Sequence, residues 1–132
     1  MSGNELKEYE IDFYHDEKGE SPVKALIGEL KQKAANGNQR GKALAKAIFT
    51  KFKHLKTVGA ELTMPGFEHL GGKHNLWQIR IKHPEGYLRI FFARINKSTF
   101  LILNYFYKKT EKTPRGEIDR ANRLLEDYFN RH

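Results

Sequence analysis

The sequence predicts a small α+β domain: an antiparallel sheet covered by a helical hairpin, with a further helix towards the C-terminus. Three observations lead there. Residues 76–114 read as three consecutive strands joined by tight turns. Two segments of helical periodicity precede them, parted only by Asn36-Gly37-Asn38, a spacing that forms an antiparallel helical pair. Finally, a chain of 132 residues that is 39% hydrophobic, with nine Phe and six Tyr, has the size and apolar content for one core, so residues 1–132 are expected to form a single domain.

In chain order, Tyr9, Ile11 and Phe13 alternate with Glu10 and Asp12, which predicts a short strand over residues 8–14 with one wet face. Ser21-Pro22 starts a helix: Ser21 can cap, and Pro22 at the first helical position gives up no needed N–H. Val23, Leu26, Ile27 and Leu30 carry that helix to about residue 35, and Gly37 suits the left-handed position after it. Leu44, Ile48, Phe52 and Leu55 form the stripe of a second helix over residues 39–58. Residues 60–75, punctuated by Pro65, Gly66, Gly71 and Gly72, read as irregular. Then Trp77, Ile79 and Ile81 alternate with Gln78, Arg80 and Lys82. The turn His83-Pro84-Glu85-Gly86 leads into a strand over residues 87–95, apolar on both faces except for Arg89 and Arg94. Residues 100–107 are apolar on both faces and belong at the sheet's centre. Ile118, Ala121, Leu124, Leu125, Tyr128 and Phe129 mark a last helix from about residue 114 to 130.

No apolar run approaches the roughly 20 residues that cross a bilayer, and the first residues lack the apolar region of a secretion signal, so a cytoplasmic protein is expected. With no cysteine, disulfides, thiolate catalysis and Cys-ligated zinc are excluded. The six histidines show no ligand spacing, and no metal is expected. The formal net charge of +8 is focused: residues 73–115 hold ten Lys or Arg and two acids, Glu85 and Glu111, whereas the rest of the chain holds fourteen of each. A basic balance confined to a sheet and its exit loop reads as an anion-binding surface. Arg80 and Arg89 stand out, because an arginine within an apolar strand is costly unless it has a partner or faces a cleft.

The stretch LWQIRIKHPEGYLRIFFARI, followed by FLILNYFYKKTEKTPRGEIDRA, resembles the phage-derived branch of the RelE/HigB toxin family. GESPVKALIGEL and HLKTVGAELTMPGFEHLGG are similar to it as well, so the likeness covers residues 13–128. The resemblance implies a toxin of a type II toxin–antitoxin pair, with a fold shared with gyrase-poisoning ParE toxins. The better-known members cut mRNA on the ribosome without a metal or other cofactor, and a helix-turn-helix antitoxin holds such toxins inactive. Matched by position, Arg80 falls where a central-strand Lys or Arg sits, and Arg89 on the arginine after the hairpin turn. Lys108 and Lys109 match the basic pair closing the last strand, and Lys112 belongs to the branch's "KtP" signature. The chain departs from the pattern at Gln78, where a glutamate is usual, at Asn104, where a histidine is frequent, and at Glu111.

Metal-free RNA cleavage needs a base for the 2′-OH, cations for the developing charge on phosphorus and an acid for the leaving oxygen. Arginine forks on rigid strands suit the second task, so Arg80, Arg89, Lys108 and Lys109 are the expected catalytic cations, with Lys82, Tyr87 and Lys112 as RNA contacts. The bland alternative for the arginines is a cross-strand ion pair or a solvated face. Trp77 and Phe91 are expected in the core, Tyr87 in the core or stacked on a base. Glu111, Tyr105, Tyr107, His69, His74 and His83 are weaker acid–base candidates. Two other functions stand beside the ribonuclease: a ParE-like toxin that binds gyrase, and a degenerate toxin that binds RNA or antitoxin without cutting. A retained basic centre on the sheet favours RNA.

Overall fold

The computed structural model describes residues 8–58, 65–84, 86–108 and 113–132. Strand β1 (Glu10–Phe13) is followed by helices α1 (Pro22–Ala35) and α2 (Gln39–Val58), strands β2 (Phe67–Gly71), β3 (Leu76–His83), β4 (Gly86–Asn96) and β5 (Thr99–Lys108), and helix α3 (Arg115–Arg131). The sheet order is β1-β5-β4-β3-β2, with β1 parallel to β5 and every other pair antiparallel. The predicted α+β architecture is the observed one.

Local chemistry accounts for the helical hairpin. Ser21 Oγ accepts the Lys24 N–H at 3.3 Å, with Pro22 in the first turn, and Gly37 takes a positive φ of 88° beyond the C-cap. Asn38 Oδ1 accepts the Gly41 N–H at 2.8 Å and caps α2. Gly41 lets the helices approach, since a Cβ there would lie 3.0 Å from Lys33 Cβ and 3.3 Å from the Leu30 carbonyl.

The irregular reading of residues 60–75 is corrected at residues 67–71, which form edge strand β2. Strand pairing is supplied by β3, through Phe67↔Ile79, Glu68↔Gln78 and His69↔Trp77. Phe67 packs towards the helical hairpin, its ring 6.2 Å from Phe92, and Leu70 packs on the α3 side, so five residues with one apolar contact on each face show little periodicity of their own. The rest of that stretch up to residue 64 lies outside the described residues. Strand β5 is interior, flanked by β1 and β4, while β4 holds the middle place.

Both faces of the sheet are packed. On one, Val23, Leu26, Ile27 and Leu30 of α1 and Ile48, Phe52 and Leu55 of α2 bury against Ile79, Ile81, Leu88, Ile90 and Phe92. On the other, Ala121 and Leu125 of α3 meet Leu76, Phe91, Ala93, Leu101 and Leu103. Tyr14 donates to Asp127 at 2.7 Å, and Arg131 binds the same carboxylate oxygen at 2.7 Å, fastening the end of α3 near β1. This second face continues beyond the α3 contacts, along β3 and β4 towards their connecting turn, and there it becomes polar. Among the described residues no helix is long and apolar enough to cross a membrane.

Candidate functional site

The short connection between His83 and Gly86 sets the register of β3 and β4, from His83↔Gly86 back through Lys82↔Tyr87 to Arg80↔Arg89. Across to β5, Tyr87 pairs with Lys108 and Arg89 with Phe106. Ile79, Ile81, Leu88 and Ile90 face the hairpin core, so alternation puts Arg80, Lys82, Tyr87, Arg89 and Lys108 together on the opposite face. Five residues expected to serve the site therefore converge in two adjacent rows. Lys109 and Lys112 lie outside the described residues, as does Glu111.

The arginines differ in role. Arg80 is partly exposed, and its guanidinium lies 5.5 Å from the Tyr87 ring centroid. Arg89 is fully buried, 5.5 Å from the same ring and 5.9 Å from that of Phe106. The electron-rich Tyr87 ring, 5.5 Å from both guanidiniums, offsets part of their repulsion. Arg89 has an internal partner: its Nη1 donates to Thr113 Oγ1 at 2.8 Å. Thr113 donates onward to Gln78 Oε1 at 3.0 Å, and Gln78 Nε2 donates to Glu68 Oε1 at 2.9 Å. A buried cation is thus tied by a polar chain to an exposed carboxylate on the neighbouring strand. Gln78, which alternates with the apolar residues of β3, is fully buried within that chain. Glu68 is the cross-strand partner of Gln78 and hence on the same face as Arg80.

The backbone of β3 is held at this point. Arg80 N–H donates to the Gly66 carbonyl at 2.7 Å. Gly66 has φ +93°, and a Cβ there would lie 3.1 Å from the Arg80 carbonyl oxygen. Lys51 of α2 donates to the Pro65 carbonyl at 2.8 Å and secures the same turn.

Beside the polar rows, two residues of β5, Leu103 and Asn104, stand against one of β4, Phe91. This bulge switches the side-chain phase, so that Leu103 and Phe106 both join the α3-side core. Asn104 is 1% exposed, and neither of its amide atoms has a hydrogen-bond partner among the described residues.

The weaker acid–base candidates fall elsewhere. Tyr105 packs into the hairpin core. Tyr107 stands edge-on to His83, and burial first, then Tyr105 and Glu29, raises its pKa. His69 bonds Asn75 and lies against Trp77, while His74 sits 3.7 Å from Glu126 of α3. Phe91 is buried as expected, and Trp77 stacks on Phe92. Among the described residues no three His, Asp or Glu side chains converge as a metal site would require. Sequence reasoning missed Glu68, Thr113 and Gly66; only the Pro65-Gly66 pair left a signal, as a turn.

Residues 38–126 match the family described as Phage derived protein Gp49-like (DUF891). The chain belongs to this family. The matched span runs from the cap of α2 into α3 and includes every site residue named above. A comparison with curated proteins found no match.

Proposed function

We propose that this protein is the toxin of a type II toxin–antitoxin pair, of RelE/HigB kind, and that it cuts mRNA on the ribosome as a metal-independent endoribonuclease. The observation that carries the reading is the convergence of Arg80, Lys82, Tyr87, Arg89 and Lys108 on the part of the sheet face beyond the α3 contacts, with Glu68 at its edge. Membership of a phage-derived family supports it.

The parts divide the chemistry. Attack of a ribose 2′-OH on the adjacent phosphate places negative charge on the non-bridging oxygens, then breaks the bond to the 5′-oxygen, which leaves with a proton taken from water. Arg80, presented from a rigid strand, offers them a bidentate fork. Lys82 and Lys108, on either side of Tyr87 in the next row, take neighbouring phosphates, and the basic series continues in sequence to Lys109 and Lys112. Tyr87 gives a base a ring to stack on. Arg89 lies behind that ring and adds positive potential without leaving the core. Glu68, oriented by Gln78, is the carboxylate placed to accept the 2′-OH proton. The natural inhibitor is a cognate helix-turn-helix antitoxin whose acidic or helical segment covers this face, and the setting is the cytoplasm. Primer extension on an mRNA translated with and without the protein tests the reading: new 3′ ends that require ribosomes support it, and their absence with folded protein contradicts it.

A further inference from the structure

Helix α2 carries Arg40, Lys42, Lys46, Lys51, Lys53 and Lys56, and no acid. Two of these cations have local roles: Lys51 holds the Pro65 turn, and Lys56 lines a shallow pocket with Glu8, Glu10 and Asp12. Lys42, Lys46 and Lys53 recur at helical spacing on one exposed stripe. Phe49 sits among them, 43% exposed, with Lys31 of α1 5.2 Å from its ring centroid. Among the described residues none of these three lysines is in a salt bridge.

An ordinary solvated helix looks different, as α3 shows: its Arg115 faces Asp119 and its Arg131 pairs with Asp127, each at i,i+4. On α2, Lys42 and Lys46 are a like-charge pair at that spacing, and the first turn has cations but no acid, against the helix dipole. Such a breach of local rules without internal compensation marks a surface kept for a ligand. The stripe lies on the hairpin layer, on the opposite side of the sheet from Arg80, so a strand bound at Arg80 leaves it unneutralised.

We propose that the Lys42–Lys46–Phe49–Lys53 stripe is a second RNA-docking surface, one that takes the phosphate backbone of double-helical RNA. It rests on the RNA reading above and adds to it the structured RNA against which the protein seats. Three cations along about 16 Å of straight helix suit the fixed phosphate rows of a duplex. Single-strand binders instead line their grooves with successive stacking rings, and this stripe has one ring.

The test is direct binding, which needs no cleavage. Fluorescence anisotropy is measured with a labelled RNA duplex, a DNA duplex of the same sequence, and phosphatidylglycerol–phosphatidylcholine vesicles, using the wild type, K42E/K46E/K53E and R80A. The triple variant should bind the RNA duplex at least roughly tenfold more weakly at low salt, with a salt slope shallower by about 0.9 for each of three lost contacts. Its melting temperature should not fall, because an acid at position 42 in the first turn suits the helix dipole that Lys42 opposes. R80A should keep duplex binding. Unchanged RNA-duplex affinity in the folded triple variant overturns the proposal, as does a loss seen only with DNA or vesicles. If the triple variant loses duplex binding and the wild type cuts no mRNA, the stripe stands and the ribonuclease reading falls.

Discussion

Thr113 is the link whose removal tests the buried chain most cleanly. Replacing it with Val keeps the side chain's size and removes only the hydroxyl that accepts from Arg89 at 2.8 Å and donates to Gln78 at 3.0 Å. Arg89 and Gln78 are both fully buried, so water does not simply replace the lost partner. A hydrogen bond to a charged group contributes about 1.5–3 kcal/mol, and an orphaned neutral acceptor about 1 kcal/mol or more. Thr113 is itself partly exposed, so the sum is discounted, and Thr113→Val should cost about 2–3 kcal/mol. For a domain of this size that lowers the melting temperature by roughly 10 °C. Thr113→Ser, which keeps the hydroxyl, should recover most of the loss. Paired urea and thermal melts decide it: a Val variant that melts with the wild type would refute the view that this chain holds Arg89 in place.

Other expected outcomes follow from the same geometry. Gln78→Glu sets a second carboxyl against Glu68, replacing a 2.9 Å hydrogen bond with repulsion; the new carboxyl's folded pKa is raised, so the variant's stability, measured across pH, should be lost as pH rises through that value. Asn104→Leu removes two amide atoms that have no partner among the described residues from a buried position and should raise stability by about 1 kcal/mol in a denaturant melt; a drop of that size would mean that the amide is satisfied in solution. Hydrogen bonds from Arg131 and then Tyr14 hold the Asp127 carboxyl below its usual range. Its contribution is therefore present above the unfolded pKa and lost as pH falls through the folded one, so Asp127→Asn should flatten the acid limb of the melting profile below about pH 4.

How much of this was legible in the sequence differs element by element. Ser21-Pro22 and Asn36-Gly37-Asn38 state their own local chemistry, and the structure places cap, helix start and helical hairpin there. The β3–β4 turn was legible too, and with it the means of placing Arg80 opposite Arg89, since a two-residue connection leaves one register. Strand β2 was not legible, because an exposed edge of five residues takes its order from its neighbour. The burial of Arg89 was hidden for a related reason: its partner Thr113 lies 24 residues away and arrives through the path of the chain into α3. The bulge that turns Asn104 inward leaves no mark in a run that is apolar on both faces. Charge counted over residues 73–115 found the sheet site but passed over α2, whose cations are balanced by acids elsewhere in the chain and not on the helix itself.

The most direct test is single-turnover cleavage of mRNA on programmed ribosomes by the wild type, Arg80→Ala and Arg80→Lys, each shown by melting to be folded. Arg80 is partly exposed and, among the described residues, in no salt bridge, so its removal should leave stability nearly unchanged. Cleavage by the Ala variant should fall by about a hundred- to a thousandfold, the effect of losing one preorganised donor, and Lys should recover little because a point charge lacks the bidentate fork. A folded Arg80→Ala protein that cuts at the wild-type rate would contradict the assignment of this face as the site of RNA cleavage.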